Sequence, residues 1–68
     1  MYPNLLGQKA LRHMSNDDMA KIINISRTTY EHKVKTGKFT VSECQAYCKH
    51  FDKEFAYLFA IEPRTPNP

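Results

Sequence analysis

SNDDMAKIINISRTTYEHKV, residues 15–34, decides the fold, because it encodes two short helices joined by a tight turn. Ser15 followed three residues later by Asp18 has the spacing of a capping box, with Asp in place of the commoner Glu or Gln. Asp17 and Asp18 also suit the positive end of a helix dipole. Met19, Ala20 and Ile23 then form an inward stripe, and Ala20 is small where a second helix must approach closely. Asn24 falls where the chain has to stop and reverse, and Asn tolerates the left-handed conformation better than most non-glycine residues. Ile25 plugs the angle between the two helices. Ser26 is placed to cap a further helix, expected over 27–35, with Tyr30 and Val34 inward and Arg27, Thr28, Glu31, His32 and Lys35 on its other faces.

Before this pair, Tyr2-Pro3-Asn4 reads as a lead-in with Asn4 a candidate cap, and a first helix is expected over 5–13. Its inward residues are Leu6, Ala10 and either Leu5 or Met14, while Gln8, Lys9 and Arg12 face water or a phosphate. After the pair, Thr36-Gly37-Lys38 is a turn, Phe39 anchors it to the core, and Thr40-Val41-Ser42-Glu43 is a full capping box. Val41, Cys44, Tyr47 or Cys48, and Phe51 recur at three and four, as a helix with one buried face requires. Asp52 is expected to cap a last short helix over 53–59 or 53–60 in which Phe55, Leu58 and Phe59 are apolar. Pro63, Pro66 and Pro68 forbid continuation, so a domain over 1–61 and a flexible Pro-rich tail over 62–68 are expected. With no alternating strand pattern and no repeat, the reading is all-α, with five helices.

A chain of 68 residues makes one domain with a compact core. The net charge of +3 is less informative than its placement. Between positions 21 and 38, five bases (Lys21, Arg27, Lys33, Lys35, Lys38) face one acid, Glu31, against five bases and six acids elsewhere. A local positive surface is what a polyanionic partner requires. No apolar run is long enough to span a bilayer and no secretory h-region opens the chain, so cytoplasmic residence without a membrane partner is expected. Cys44 and Cys48, four apart on one helix face, read as reduced, buried small hydrophobes rather than a metal or redox pair. His13, His32 and His50 are dispersed and form no metal spacing. No nucleophile with an orienting base, phosphate-cradling glycine loop or acidic cluster is present, so neither an enzyme nor a cofactor nor a small-molecule substrate is expected.

In a helix-turn-helix the first helix braces across the DNA backbone and the second enters the major groove, its N-terminal residues reaching base edges. The helix after Ser26 holds that second position. Arg27 carries the donor pair that matches guanine O6 and N7, Thr28 can bond a base or touch a thymine methyl, and Glu31 and His32 follow one turn on. Glu31 can accept from a cytosine amine or pair with Lys35. Lys33, Lys35 and Lys38 read as phosphate contacts, and Asn16 at the start of the bracing helix adds a further one beside exposed helix amides.

Over about residues 4 to 60 these features resemble the lambda-repressor-like helix-turn-helix family, the Cro and CI type of phage and bacterial regulators. MSNDDMAKIINISRTTYEHKV carries the resemblance at Ala20, Ile25-Ser26 and Tyr30. KTGKFTVSECQAYCKHFDKEFAYLFA adds a block like that of small prophage regulators. The resemblance implies a double-stranded operator, a homodimer on a pseudo-palindrome, control of transcription, base contacts at Arg27, Thr28, Glu31 and His32, and a phosphate contact at Asn16. Asn16 replaces the family's usual Gln and Asn24 its usual turn Gly. A stand-alone, Cro-like repressor, with no second domain expected, is the closer analogy. Phe55, Tyr57, Leu58, Phe59 and Ile61 exceed what one terminal helix needs for its own packing, which makes Phe55, Leu58, Phe59 and Ile61 the candidate dimer interface. The rival reading is a protein-interaction module that binds no DNA, such as an antirepressor.

Overall fold

Three of the helices begin where a side chain satisfies a backbone N–H group that no earlier carbonyl reaches. In the computed structural model, which describes residues 2–61, five helices follow one another: α1 (Pro3–Leu11), α2 (Asn16–Ile22), α3 (Arg27–Thr36), α4 (Val41–Phe51) and α5 (Phe55–Leu58). No strand occurs among the described residues. The expected 62–68 tail lies outside them.

Three starts follow the sequence pattern. Ser15 Oγ accepts from Asp18 N at 3.1 Å while the Asp18 carboxylate accepts from Ser15 N at 2.9 Å. Thr40 and Glu43 repeat the same reciprocal pair at 3.1 and 2.9 Å. Ser26 Oγ accepts from Thr29 N at 3.1 Å. Such caps contribute about 0.5–2 kcal/mol each. Asn24 adopts the left-handed conformation at φ 58°, so the α2–α3 turn closes without glycine. Gly37 ends α3 at φ 73°, where a Cβ would also come within 3.1 Å of the Tyr2 hydroxyl.

The other boundaries differ from the expectation. α1 starts two residues early because Pro3, whose nitrogen has no hydrogen to leave unsatisfied, occupies its first position. Asn4 is therefore inside the helix and donates to the Tyr57 carbonyl at 2.8 Å instead of capping. α1 also ends early, at Leu11, and His13 turns the chain at φ 55°. Asp52 does not cap α5; it terminates α4 in the left-handed conformation, and α5 is shortened to four residues after Glu54.

The core joins Leu5, Met19, Ala20, Tyr30, Cys44, Tyr47, Phe51, Leu58 and Phe59, with Met14, Ile23, Ile25, Val34 and Phe39 packed against it. Phe39 anchors the α3–α4 loop as expected. Its ring lies 5.8 Å from Tyr47, edge-on, and 6.1–6.3 Å from Tyr2, Tyr30 and Phe59. Three positions reverse their expected sides. Gln8, expected to face outward, is only 8% exposed, and its amide reaches the Tyr57 hydroxyl and accepts from Arg12. Val41 is 73% exposed, because the first turn of α4 projects beyond the core. Ala10, expected inward, is exposed as well.

An ion pair ties α3 to α4. Lys33 Nζ lies 3.2 Å from Glu43 Oε1, with side chains only 18% and 16% exposed, and it also donates to the Lys38 carbonyl at 3.2 Å. Burial pushes the Glu43 carboxyl up, but the Thr40 N–H together with the hydrogen bond and charge of Lys33 outweighs it and holds the group below its ordinary 4.5.

Two tyrosines offer a test of sign. The buried Tyr47 hydroxyl donates to the Met19 carbonyl at 2.7 Å, in the last turn of α2. The buried Tyr30 hydroxyl has no hydrogen-bond partner among the described residues. Removing one partner of a buried hydrogen bond costs about 1–3 kcal/mol, whereas removing an orphaned group relieves a desolvation cost. Tyr47→Phe is thus expected to lower the urea midpoint and Tyr30→Phe to leave it unchanged or raise it; the reverse order would refute these assignments.

Glu43 gives a second prediction. Its lowered folded value means that the unfolded chain binds more protons just below the ordinary 4.5, so its contribution is fully present above that pH and lost as pH falls through the folded value. Glu43→Gln should therefore flatten the acid limb of a stability-versus-pH curve. Some slope remains from Asp18, which the Ser15 backbone N–H and hydroxyl hold below 3.8. An acid limb as steep as that of the parent would remove Glu43 from this role.

Candidate nucleic-acid interface

Spacing along α3 determines what it can present. Positions 27, 28, 31, 32 and 35 follow at i, i+1, i+4, i+5 and i+8, which gathers them on one side of a helix. All five, Arg27, Thr28, Glu31, His32 and Lys35, are exposed, and Tyr30 is the buried residue of the same helix. α2 packs directly behind it, with Ala20 buried and Ile25, in the turn that joins the two, partly buried against the core. The structure therefore brings the expected base-reading set together on one outward stripe, which begins at the capped N-terminus of α3.

Within the stripe, Glu31 is the acceptor around which its neighbours gather. Its Oε2 accepts from Asn16 Nδ2 at 2.8 Å and lies 3.9 Å from Arg27 Nε. Glu31 thus pairs with Arg27 one turn earlier rather than with Lys35 one turn later. Asn16, expected at a phosphate, reaches across from the first residue of α2 to α3. Of the amides beside it, those of Ser15 and Asp18 are taken by the capping box. Ser15 Oγ takes Asp18 N, and the carboxylates of Asp17 and Asp18 occupy the first turn. That turn is already electrostatically satisfied by the chain's own acids.

The three expected phosphate lysines separate. Lys33 is half-buried in the α3–α4 junction already described, so its ammonium is engaged within the chain. Lys35 and Lys38 are exposed and flank the C-terminal end of α3. They leave a cationic edge beside a polar stripe in which one acid is locally compensated. Strong charge lies at the edge, and groups with directional hydrogen-bonding capacity lie along the middle.

The expected dimer residues also divide. Leu58 and Phe59 are buried in the core. Phe55 and Ile61 are 58% and 68% exposed, with Tyr57 partly so, and the Phe55 ring stacks on Phe59 at 5.4 Å. The apolar surface offered by this end of the chain is accordingly Phe55, Tyr57 and Ile61. The sequence counted Tyr57 in the apolar excess but did not disclose that its hydroxyl and carbonyl both bond α1. A contact spanning about fifty residues leaves no local pattern.

Cys44 and Cys48 are free thiols, both pushed up by burial; Cys44 is buried in the core as expected, whereas Cys48 is only partly buried against it. Among the described residues no three His, Cys, Asp or Glu side chains come together to hold a metal ion, and no helix is long and apolar enough to cross a membrane. The chain matches no protein-family model, no curated protein and no solved structure.

Proposed function

We propose that this protein is a sequence-specific double-stranded DNA-binding regulator of transcription, a Cro-like repressor acting through a helix-turn-helix formed by α2 and α3. The observation that carries this reading is the outward polar stripe of α3, braced from behind by a short, well-capped helix. In this reading α2 crosses the DNA backbone while α3 enters the major groove. Arg27 and Thr28 meet base edges first, and Glu31 and His32 meet them one turn deeper. Lys35 and Lys38 contact phosphates at the groove edge and fix the register of the helix without reading sequence.

Two copies are required for a pseudo-palindromic site. The exposed Phe55, Tyr57 and Ile61 supply apolar surface for a two-fold contact, which sets two reading helices about 34 Å apart on adjacent major grooves. Bound there, the dimer represses by occupying the operator.

Selection of binding sites from a random duplex pool at about 0.15 M salt tests the whole reading. An enriched inverted repeat is the expected result; a folded protein that enriches nothing overturns it. On the selected site, Arg27→Ala should cost about 1–3 kcal/mol and flatten discrimination at one base pair. Lys35→Ala should weaken selected and random duplexes alike and reduce the salt slope by about one. If Lys35→Ala instead weakened only the selected sequence, Lys35 would be a base reader.

A further inference from the structure

α2 and α4 part at their C-terminal ends to leave an open groove of roughly 570 Å³ lined by Lys21, Ile22, Ala46, Lys49 and His50. Its origin is local. Ala46, Lys49 and His50 follow at i, i+3 and i+4 on α4 and so share a face, and the methyl of Ala46 leaves unfilled the space a larger side chain would take. Ile22 and Ala46 are partly buried and form an apolar floor, while Lys21 stands on one bank and Lys49 and His50 on the other, all exposed. The ion pairs among the described residues lie elsewhere, at Arg27–Glu31 and Lys33–Glu43. Asp18, one turn back from Lys21, holds an oxygen on the Ser15 N–H. The groove is therefore apolar at its base and cationic along both banks, and among the described residues its lysines make no direct ion pair, the Lys21 charge being felt only weakly at Asp18. None of its residues belongs to α3.

We propose that this groove docks an acidic amphipathic helical segment of another protein, with an apolar side chain on Ile22 and Ala46 and carboxylates against Lys21 and Lys49. Charge complementarity identifies the occupant's sign, and the apolar floor identifies its class. Phosphodiester backbones need cations but gain nothing from an isoleucine–alanine floor. Small-molecule sites enclose most of the ligand surface, whereas this groove is open along its length. A helix laid in a groove, with apolar anchors on one stripe and charges beside them, matches both features. The proposal is independent of operator binding.

The test uses the full chain, labelled with ¹⁵N, and a synthetic helical peptide carrying Leu at i and i+4 flanked by Glu. Peptide addition is expected to shift the amide resonances of Lys21, Ile22, Ala46, Lys49 and His50 as a group. Lys49→Glu should weaken binding about tenfold, and Ala46→Leu, which fills the floor, should weaken it comparably, each variant keeping a folded spectrum. A control peptide with Ser in place of Leu should bind far less. No shift at these residues up to about 1 mM peptide overturns the proposal. So does equal binding of the Ser control, which would reduce the groove to a charge cluster. Shifts of the same residues by a DNA duplex, with the peptide inert, would assign the surface to nucleic acid instead.

Discussion

Tyr30 is the single buried side chain of α3, so this ten-residue helix is held mainly by what grips its edges. An isolated helix of that length is marginal in water, and one buried aromatic contributes only about 1.5–3 kcal/mol. Val34, partly buried, also packs against the core, and the remaining hold is peripheral. Ser26 closes the N-terminus, Asn16 reaches Glu31 from α2, Lys33 bridges to Glu43, and the Tyr2 hydroxyl donates to the Gly37 carbonyl at 3.2 Å. Phe39 sits beneath the C-terminal end with rings from four segments around it. The arrangement leaves most of α3 in solvent while fixing both its ends, which is the mechanical requirement for presenting a helix to a partner surface.

What the sequence disclosed was what depends on near neighbours. Caps at Ser15, Ser26 and Thr40, the left-handed turn at Asn24, the glycine stop at Gly37 and the anchoring of Phe39 each follow from a few adjacent residues and the backbone groups they must satisfy. The α3 stripe was legible for the same reason, because helical spacing alone gathers positions 27, 28, 31, 32 and 35. The errors fall where tertiary packing chooses between local options. α1 carries apolar residues at 5, 6, 10 and 11, which supports two competing stripes, and docking against α5 selected the one that buries Leu5 and Gln8. Asp52 had the chemistry either to begin α5 or to end α4, and the chain's exit direction decided for the latter. Lys33 looked like any exposed base until α4 brought Glu43 beside it.

The Asn16–Glu31–Arg27 cluster bears on how the proposed reading helix meets a base. Arg27 and Glu31 are largely exposed, and such a surface pair is worth only about 0–1 kcal/mol. A good bidentate contact from arginine to guanine discriminates by about 1–3 kcal/mol. In the proposed complex, exchange of Glu31 for a base would therefore be favourable for Arg27. The carboxylate left behind is not orphaned, because Asn16 still donates to the same oxygen at 2.8 Å. Asn16 thus serves the stripe indirectly. Being one carbon shorter than Gln, it reaches the α3 carboxylate from α2.

α2 divides the two surfaces. Its first residue faces α3, Met19 and Ala20 are buried, and its last two, Lys21 and Ile22, line the groove against α4. Seven residues carry all three roles, so α2 must be rigid for any of them to be specific. The capping box fixes its start, and the Tyr47 hydroxyl fixes a carbonyl in its last turn from the core of α4. A ligand can shift an equilibrium only as far as it binds two states differently. The capping box and the Tyr47 hydrogen bond both oppose displacement of α2 by an occupant of the groove. The two faces are thus mounted on one strut, capped at its start and bonded to the core in its last turn.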